Sequence, residues 1–156
     1  MNQPNWLDPD ELQAWRSYVE ATQLLFDRLD RQLQRDAGLS RADYELLVRL
    51  SEAGGQRMRM WELADQALFS RSRLSHAITR LERAGWVRRE GCPSDKRGAF
   101  AILTDEGQRL LATAAPGHAA AVRHHLFDQL SPAQRQQLQR ITALIRDQLA
   151  EKQAER

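Results

Sequence analysis

The segment SRSRLSHAITRLE, from Ser70 to Glu82, constrains the fold of this chain more than any other stretch. Leu74, Ala77, Ile78 and Leu81 recur at helical spacing and fall within an arc of about 100°, the width of a core-facing stripe. Ser70 supplies an N-cap, and Gly85 supplies a stop. The opposite arc is centred on Ser72, His76, Thr79 and Arg83, with Arg73, Ser75 and Arg80 on its shoulders. It holds only basic and small polar residues, and Glu82 sits at the edge of the core stripe. A solvated helix face ordinarily mixes charge signs, so this face points to an anionic partner.

The surrounding segments specify the architecture. Asp8 and Pro9 start a helix whose seam runs through Leu12, Trp15, Val19, Thr22, Phe26, Leu29 and Leu33 as far as Gly38. Ser40 caps a second helix, with Asp43 at its third position and Leu39 placed to staple against Tyr44; Gly54 and Gly55 end it. RMRM (57–60) alternates as one short strand, and WELADQAL from Trp61 is a short helix ending near Phe69. Many tight helix-turn-helix turns have glycine where this chain has Leu68, so a looser turn is expected there. Beyond Gly85, WVRRE and AFAILT read as two strands around an eight-residue loop, Gly91 to Gly98. Thr104 caps a further helix that Pro116-Gly117 should kink or divide, and Ser131, Pro132 and Gln134 open the last one.

The expected fold is therefore mostly α with a small β-hairpin wing: a winged helix-turn-helix over residues 39–103, with helices at 8–36 and 104–151 forming a second layer in a single intertwined domain. The terminal seams suit either packing within one subunit or a helical dimer interface.

Charge is concentrated in the same region. Between Arg57 and Arg97 lie ten Lys and Arg against five Asp and Glu, leaving thirteen and sixteen for the rest of a chain whose formal net charge is +2. Small hydroxyls allow close approach to base edges, arginine bonds guanine bidentately, and a helix N-terminus favours phosphate. Ser70, Ser72, Arg73, Ser75 and His76 are the base-reading candidates; Thr79, Arg80 and Arg83 lie farther along, toward the DNA backbone. Lys96 and Arg97 at the hairpin tip suit a minor groove, with Asp95 bracing an arginine.

Other functions find little support. No stretch approaches the ~20 apolar residues of a membrane span, and the N-terminus has no export pattern, so a cytoplasmic location is expected. The one cysteine, Cys92, has no partner at metal-ligand spacing. His118 with His125, and His124 with Asp128, are too sparse for a metal site, so none is assigned. Without a glycine-rich phosphate loop or a nucleophile paired with a base, neither an enzyme nor a cofactor is expected.

DKRGAFAILTDEG, from Asp95 to Gly107, resembles the wing signature of the MarR family of bacterial transcriptional regulators. Asp95, Arg97, Leu103, Thr104 and Gly107 carry the match, and LSRADYELLVRL (39–50) resembles the family's helix before the helix-turn-helix. The resemblance implies a homodimer built by the terminal helices, set on a pseudo-palindromic double-stranded DNA operator, commonly a repressor released by a small aromatic or anionic effector. Family pockets lie between the dimer helices and the DNA-binding lobe, which here offers Trp15, Arg16, Tyr18, Tyr44 and Trp61. Two alternatives stand beside this reading. One is a winged-helix module that docks another protein; the other is a thiol-responsive regulator using Cys92, whose neighbours Arg88, Arg89 and Lys96 would lower its pKa.

Overall fold

The computed structural model describes residues 6–92 and 95–154; the side chains of Cys92, Asp95, Lys96 and Arg97 lie outside the described residues. The elements are α1 (Pro9–Ala37), α2 (Arg41–Glu52), β1 (Arg57–Arg59), α3 (Met60–Gln66), α4 (Arg71–Arg83), β2 (Val87–Cys92), β3 (Asp95–Leu103), α5 (Asp105–His125) and α6 (Pro132–Ala154). The strands form one antiparallel sheet in the order β1-β3-β2. This is the expected winged helix-turn-helix order. The chain divides into two compact units, Met1–Ala119 and Ala120–Arg156.

Local chemistry starts α1, α2 and α4 where the sequence places them. Asp8 and Glu11 close a reciprocal capping box on α1, with bonds of 2.8 and 2.9 Å. Ser40 Oγ accepts the Asp43 amide on α2, and Ser70 Oγ accepts the Arg73 amide on α4. Leu46, Leu47 and Leu50 of α2 then meet Leu63 and Ala64 of α3, the apolar stripe of α4, and Val87, Ala101 and Leu103 of the sheet in one core. Each fully buried leucine contributes roughly 1.5–3 kcal/mol. Leu29 and Leu33 are the buried part of the α1 seam; Leu12, Trp15 and Phe26 remain exposed.

Three local expectations are corrected. The short helix α3 ends at Gln66, and Leu68 itself takes the left-handed conformation, at φ 55°. Phe69 N–H donates to the Ala64 carbonyl at 2.8 Å and Leu68 N–H to Asp65 at 3.1 Å, which closes the turn tightly. The turn is thus the compact kind, with leucine where glycine would be relaxed. The core demands this geometry, because Leu63, Ala64 and Leu74 on its two sides are all buried. Gly85 ends α4 by the same pattern at φ 79°, with Trp86 N–H on the Leu81 carbonyl and Gly85 N–H on Glu82.

The second correction concerns the hairpin. Most of the expected eight-residue loop is strand: Gly91 pairs with Ala99, and Cys92 pairs with Asp95. Between those pairs β3 advances four residues while β2 advances one, so the excess length forms a bulge at residues 96–98. The third is α5, which runs through Pro116 undivided. Buried Leu111 and Ala114 fix it ahead of the proline, and His118 is held after it by Gln32 and Tyr44.

The joint between the wing and α5 explains the Leu-Thr-x-x-Gly run. Thr104 Oγ1 donates to the Gly85 carbonyl at 2.7 Å and accepts the Gly107 amide at 3.1 Å, while Thr104 N–H donates to the Trp86 carbonyl. A Cβ on Gly107 would overlap the Trp86 carbonyl oxygen and press on Leu103. In the second unit, Ser131 and Gln134 cap α6 reciprocally, and Arg135 donates to the Leu130 and Phe127 carbonyls of the preceding turn.

Substituting Gly107→Ala should therefore cost about 1–3 kcal/mol of unfolding free energy by overpacking. Gly91→Ala, where a Cβ meets nothing within 4 Å, should change it by less than about 0.5 kcal/mol. Urea unfolding of the two variants checks the contrast.

Candidate nucleic-acid interface

Leu74, Ala77, Ile78 and Leu81 are exposed by 2% or less, which fixes the rotation of α4. Ser70, Ser72, Arg73, Ser75, His76, Arg80 and Arg83 are consequently exposed, and Thr79 is half-buried. Every candidate on this helix other than Thr79 is open to solvent.

Their surroundings divide them. Among the described residues, Ser72, His76 and Arg83 make no side-chain hydrogen bond or ion pair, so they are open to a partner. Arg73 stacks its guanidinium 4.0 Å from the centroid of the Phe69 ring. Stacking orients the plane and leaves its N–H edge available for hydrogen bonds. Arg80 is bound to Asp43 on α2 at 2.8 Å. Thr79 Oγ1 donates to the Ser75 carbonyl at 2.9 Å and accepts from Arg89 at 3.0 Å, so its hydroxyl is already engaged.

Arg89 and Glu82 form a tie beside the candidate face that the sequence reading does not announce. Arg89 on β2 bonds Glu82 at 2.8 Å through Nη1, and its Nη2 reaches the Ser75 carbonyl at 2.8 Å; its backbone amide also donates to Glu82. One guanidinium thereby locks the wing to the recognition face. The signal was present: strand alternation puts Arg89 on the same face as buried Val87, and Glu82 is the acid at the edge of the core stripe.

Elsewhere on the sheet the cations are partly offset. Arg57 lies over the Phe100 ring at 4.0 Å, Arg59 at 5.2 Å, and Glu90 accepts from Arg88 at 2.7 Å with Arg57 at 3.9 Å. The bond from Arg88, followed by the charges of Arg88 and Arg57, holds Glu90 below the usual carboxylate range.

The five effector candidates fall in three separate places in the chain. Exposed Trp15 and Tyr18 pair at 6.4 Å on α1, beside exposed Arg16. Exposed Trp61 lines a cavity of about 290 Å³ with Arg59, Met60, Arg71, Leu74, Gly98 and Ala99. Half-buried Tyr44 packs on the His118 ring at 4.5 Å. Gln32, a buried polar side chain, gives its amide N–H to Asp36 at 2.9 Å, which turns its carbonyl toward His118 Nδ1 at 3.2 Å. Burial first, then the charge of Arg41, lowers the His118 pKa; Glu45 opposes them.

The fold and this surface define a winged helix-turn-helix protein with an exposed recognition helix. The MarR family model matches residues 39–98. Sco3205, a MarR family transcriptional regulator from Streptomyces coelicolor whose crystal structure is a complex with DNA, is 57% identical over 94% of this chain and 92% of its own, with a TM-score of 0.91. AbsC, a MarR family regulator from the same organism, is 46% identical over 93% of this chain and 97% of its own, with a TM-score of 0.88. The HTH-type transcriptional regulator YkoM of Bacillus subtilis is 31% identical, and the match spans 67% of this chain and 66% of that protein. The chain belongs to the MarR family of transcriptional regulators. No helix among the described residues is long and apolar enough to cross a membrane.

Two outcomes follow from the geometry. Arg89→Ala strands half-buried Glu82 and should lower unfolding free energy by about 1–3 kcal/mol, with Arg89→Lys recovering only part of the loss; urea denaturation measures both. Because the folded His118 pKa is lowered, the unfolded chain takes up the proton first as pH falls through the ordinary value of 6.5. Stability should therefore drop on acidification below that pH. His118→Gln should remove this component, so that its stability relative to the parent chain rises between pH 7 and pH 5.5 in the same assay.

Proposed function

We propose that this chain is a sequence-specific double-stranded DNA-binding repressor that acts as a homodimer on a pseudo-palindromic operator and releases it on binding a small aromatic or anionic effector. The observation that carries the reading is the acid-free exposed face of α4, held in place by a buried stripe and an arginine clamp. The DNA complex of the 57% identical Sco3205 supports it. In this reading Ser70, Ser72, Arg73, Ser75 and His76 meet base edges. Arg80 and Arg83 serve the phosphates, and Arg97 with Lys96 enters the minor groove.

Exposed apolar residues support the dimer. Trp15, Leu24 and Phe26 on α1 face solvent, as do Ile141, Leu144, Ile145 and Leu149 on α6. A second copy would cover such seams, and a two-fold dimer sets its recognition helices about 34–36 Å apart, one turn of DNA. The effector reading draws on Trp15, Arg16, Tyr18, Tyr44 and Trp61.

Selection of DNA by the purified protein from a random pool should enrich an inverted repeat. Binding to that duplex should fall with salt at a log-log slope near roughly −7, corresponding to about eight neutralised phosphates. A shallow slope, or no preference over scrambled DNA, would sink the reading. Arg73→Ala should relax base preference by about 1–3 kcal/mol at one position, whereas Arg97→Ala should weaken specific and unrelated duplexes alike.

A further inference from the structure

The cavity beside Trp61 lies between the two parts of the DNA-facing surface. Its lining joins Arg59 and Met60, where β1 passes into α3, with Arg71 and Leu74 on the first turn of α4 and with Gly98 and Ala99 on the wing strand β3. Leu74 is buried and forms a floor; Trp61 is exposed and forms a wall. Two guanidinium groups thus border one small concavity. Arg59 lies near the Phe100 ring and is engaged by a further partner, while exposed Arg71 makes no hydrogen bond or ion pair among the described residues. At about 290 Å³ the cavity is at the lower end of the roughly 300–1,000 Å³ of small-molecule sites.

An uncommitted guanidinium at the edge of a cleft of this size favours an anionic group. Position then decides which one. A protein whose helix occupies a major groove and whose hairpin enters the neighbouring minor groove has to straddle the sugar-phosphate strand between those grooves. The cleft is bordered by the first turn of α4 on one side and by the base of the wing on the other. Arg71 is also the immediate neighbour of Ser72, which faces the bases in the proposed complex.

We propose that this cleft is a backbone-phosphate seat, in which Arg71 binds one phosphodiester of each operator half-site and Trp61 walls the adjoining sugar. The seat rests on the DNA-binding reading above and assigns it residues outside the recognition face and the wing tip. It carries register and no base information, since a phosphate is the same in every sequence. Arg71 acts here as a positioning residue.

The test uses the full chain and the duplex it selects from a random pool. Arg71→Gln changes an exposed side chain with no internal partner, so the variant should fold as the parent does. Its log-log salt slope should be shallower by about one for each seat it neutralises, with the operator-to-scrambled affinity ratio unchanged. Single methylphosphonate linkages, walked along each half-site, should include one position that weakens the parent chain and leaves Arg71→Gln unaffected. An unchanged slope, an altered base preference, or full additivity at every linkage would overturn the seat. Calorimetry with benzoate and with inorganic phosphate on the DNA-free protein distinguishes a free anion: saturable binding abolished by Arg71→Gln, without methylphosphonate coupling, would also overturn it. If the parent chain prefers no duplex, the DNA-binding reading itself fails. If it binds steeply and Arg71→Gln matches it, only the seat fails.

Discussion

Leu74, Ala77, Ile78 and Leu81 hold one side of α4 in the core, each exposed by 2% or less. A helix advances about 100° per residue, so fixing these four fixes the direction of every other side chain on it. The open positions of Ser72, Arg73 and His76 are consequences of that burial. Rotation alone does not set the distance between the helix and the wing, however. Arg89 and Glu82 tie β2 to α4, and Thr104 with Gly107 brings α5 against the turn that ends α4. A charged tie at one point and a backbone contact at another allow the recognition surface to behave as one body.

Charge along the sequence overstates what faces a partner. The middle of the chain carries an excess of five positive charges, yet Arg89 is committed to Glu82, Arg80 to Asp43, and Arg88 to Glu90. Exposed pairs such as Arg88 with Glu90 contribute at most about 1 kcal/mol, so phosphate can draw Arg88 away. The Arg89 tie is different: it includes a backbone carbonyl and a threonine hydroxyl, which a phosphate would not replace. Among the described residues, Arg71 and Arg83 are the cations of α4 without a side-chain hydrogen bond, ion pair or ring contact, one at each end of the helix. Their separation along the helix matches contacts to backbone on either side of a groove better than two contacts to neighbouring bases.

Features set by neighbours in sequence were legible before the structure. Asp8, Ser40, Ser70 and Ser131 each cap the expected helix, because the bond is made three residues away. The order of elements and the buried stripe of α4 follow from periodicity in the same way. Features decided by distant packing were not legible. Leu68 is a poor residue for the left-handed conformation, and only the helices docked on either side make the tight turn worth roughly 1–2 kcal/mol of local strain. The bulge of β3 depends on pairing with β2, which residue counts between turn signals do not reveal. Pro116 reads locally as a break, but Leu111 and His118 are anchored on both sides of it. Arg89 was visible only as one of ten cations; its role needed Glu82, Ser75 and Thr79 brought against it.

In the proposed complex, the composition of the reading face also bears on why two copies would act together. Within one protomer that face offers one stacked arginine, one histidine and small hydroxyls. A good bidentate base contact discriminates by about 1–3 kcal/mol, whereas specific sites are bound about 4–10 kcal/mol more tightly than random DNA. A single arginine fork falls short of that range, and the Thr79 hydroxyl is already occupied by Arg89. Two copies on a rigid two-fold frame double the base contacts and add their phosphate contacts in register. The exposed seams of α1 and α6 are the apolar surface from which such a frame would be built. Specificity in the proposed complex therefore depends on residues far from the DNA: loosening the seam would weaken discrimination even with every side chain of α4 intact.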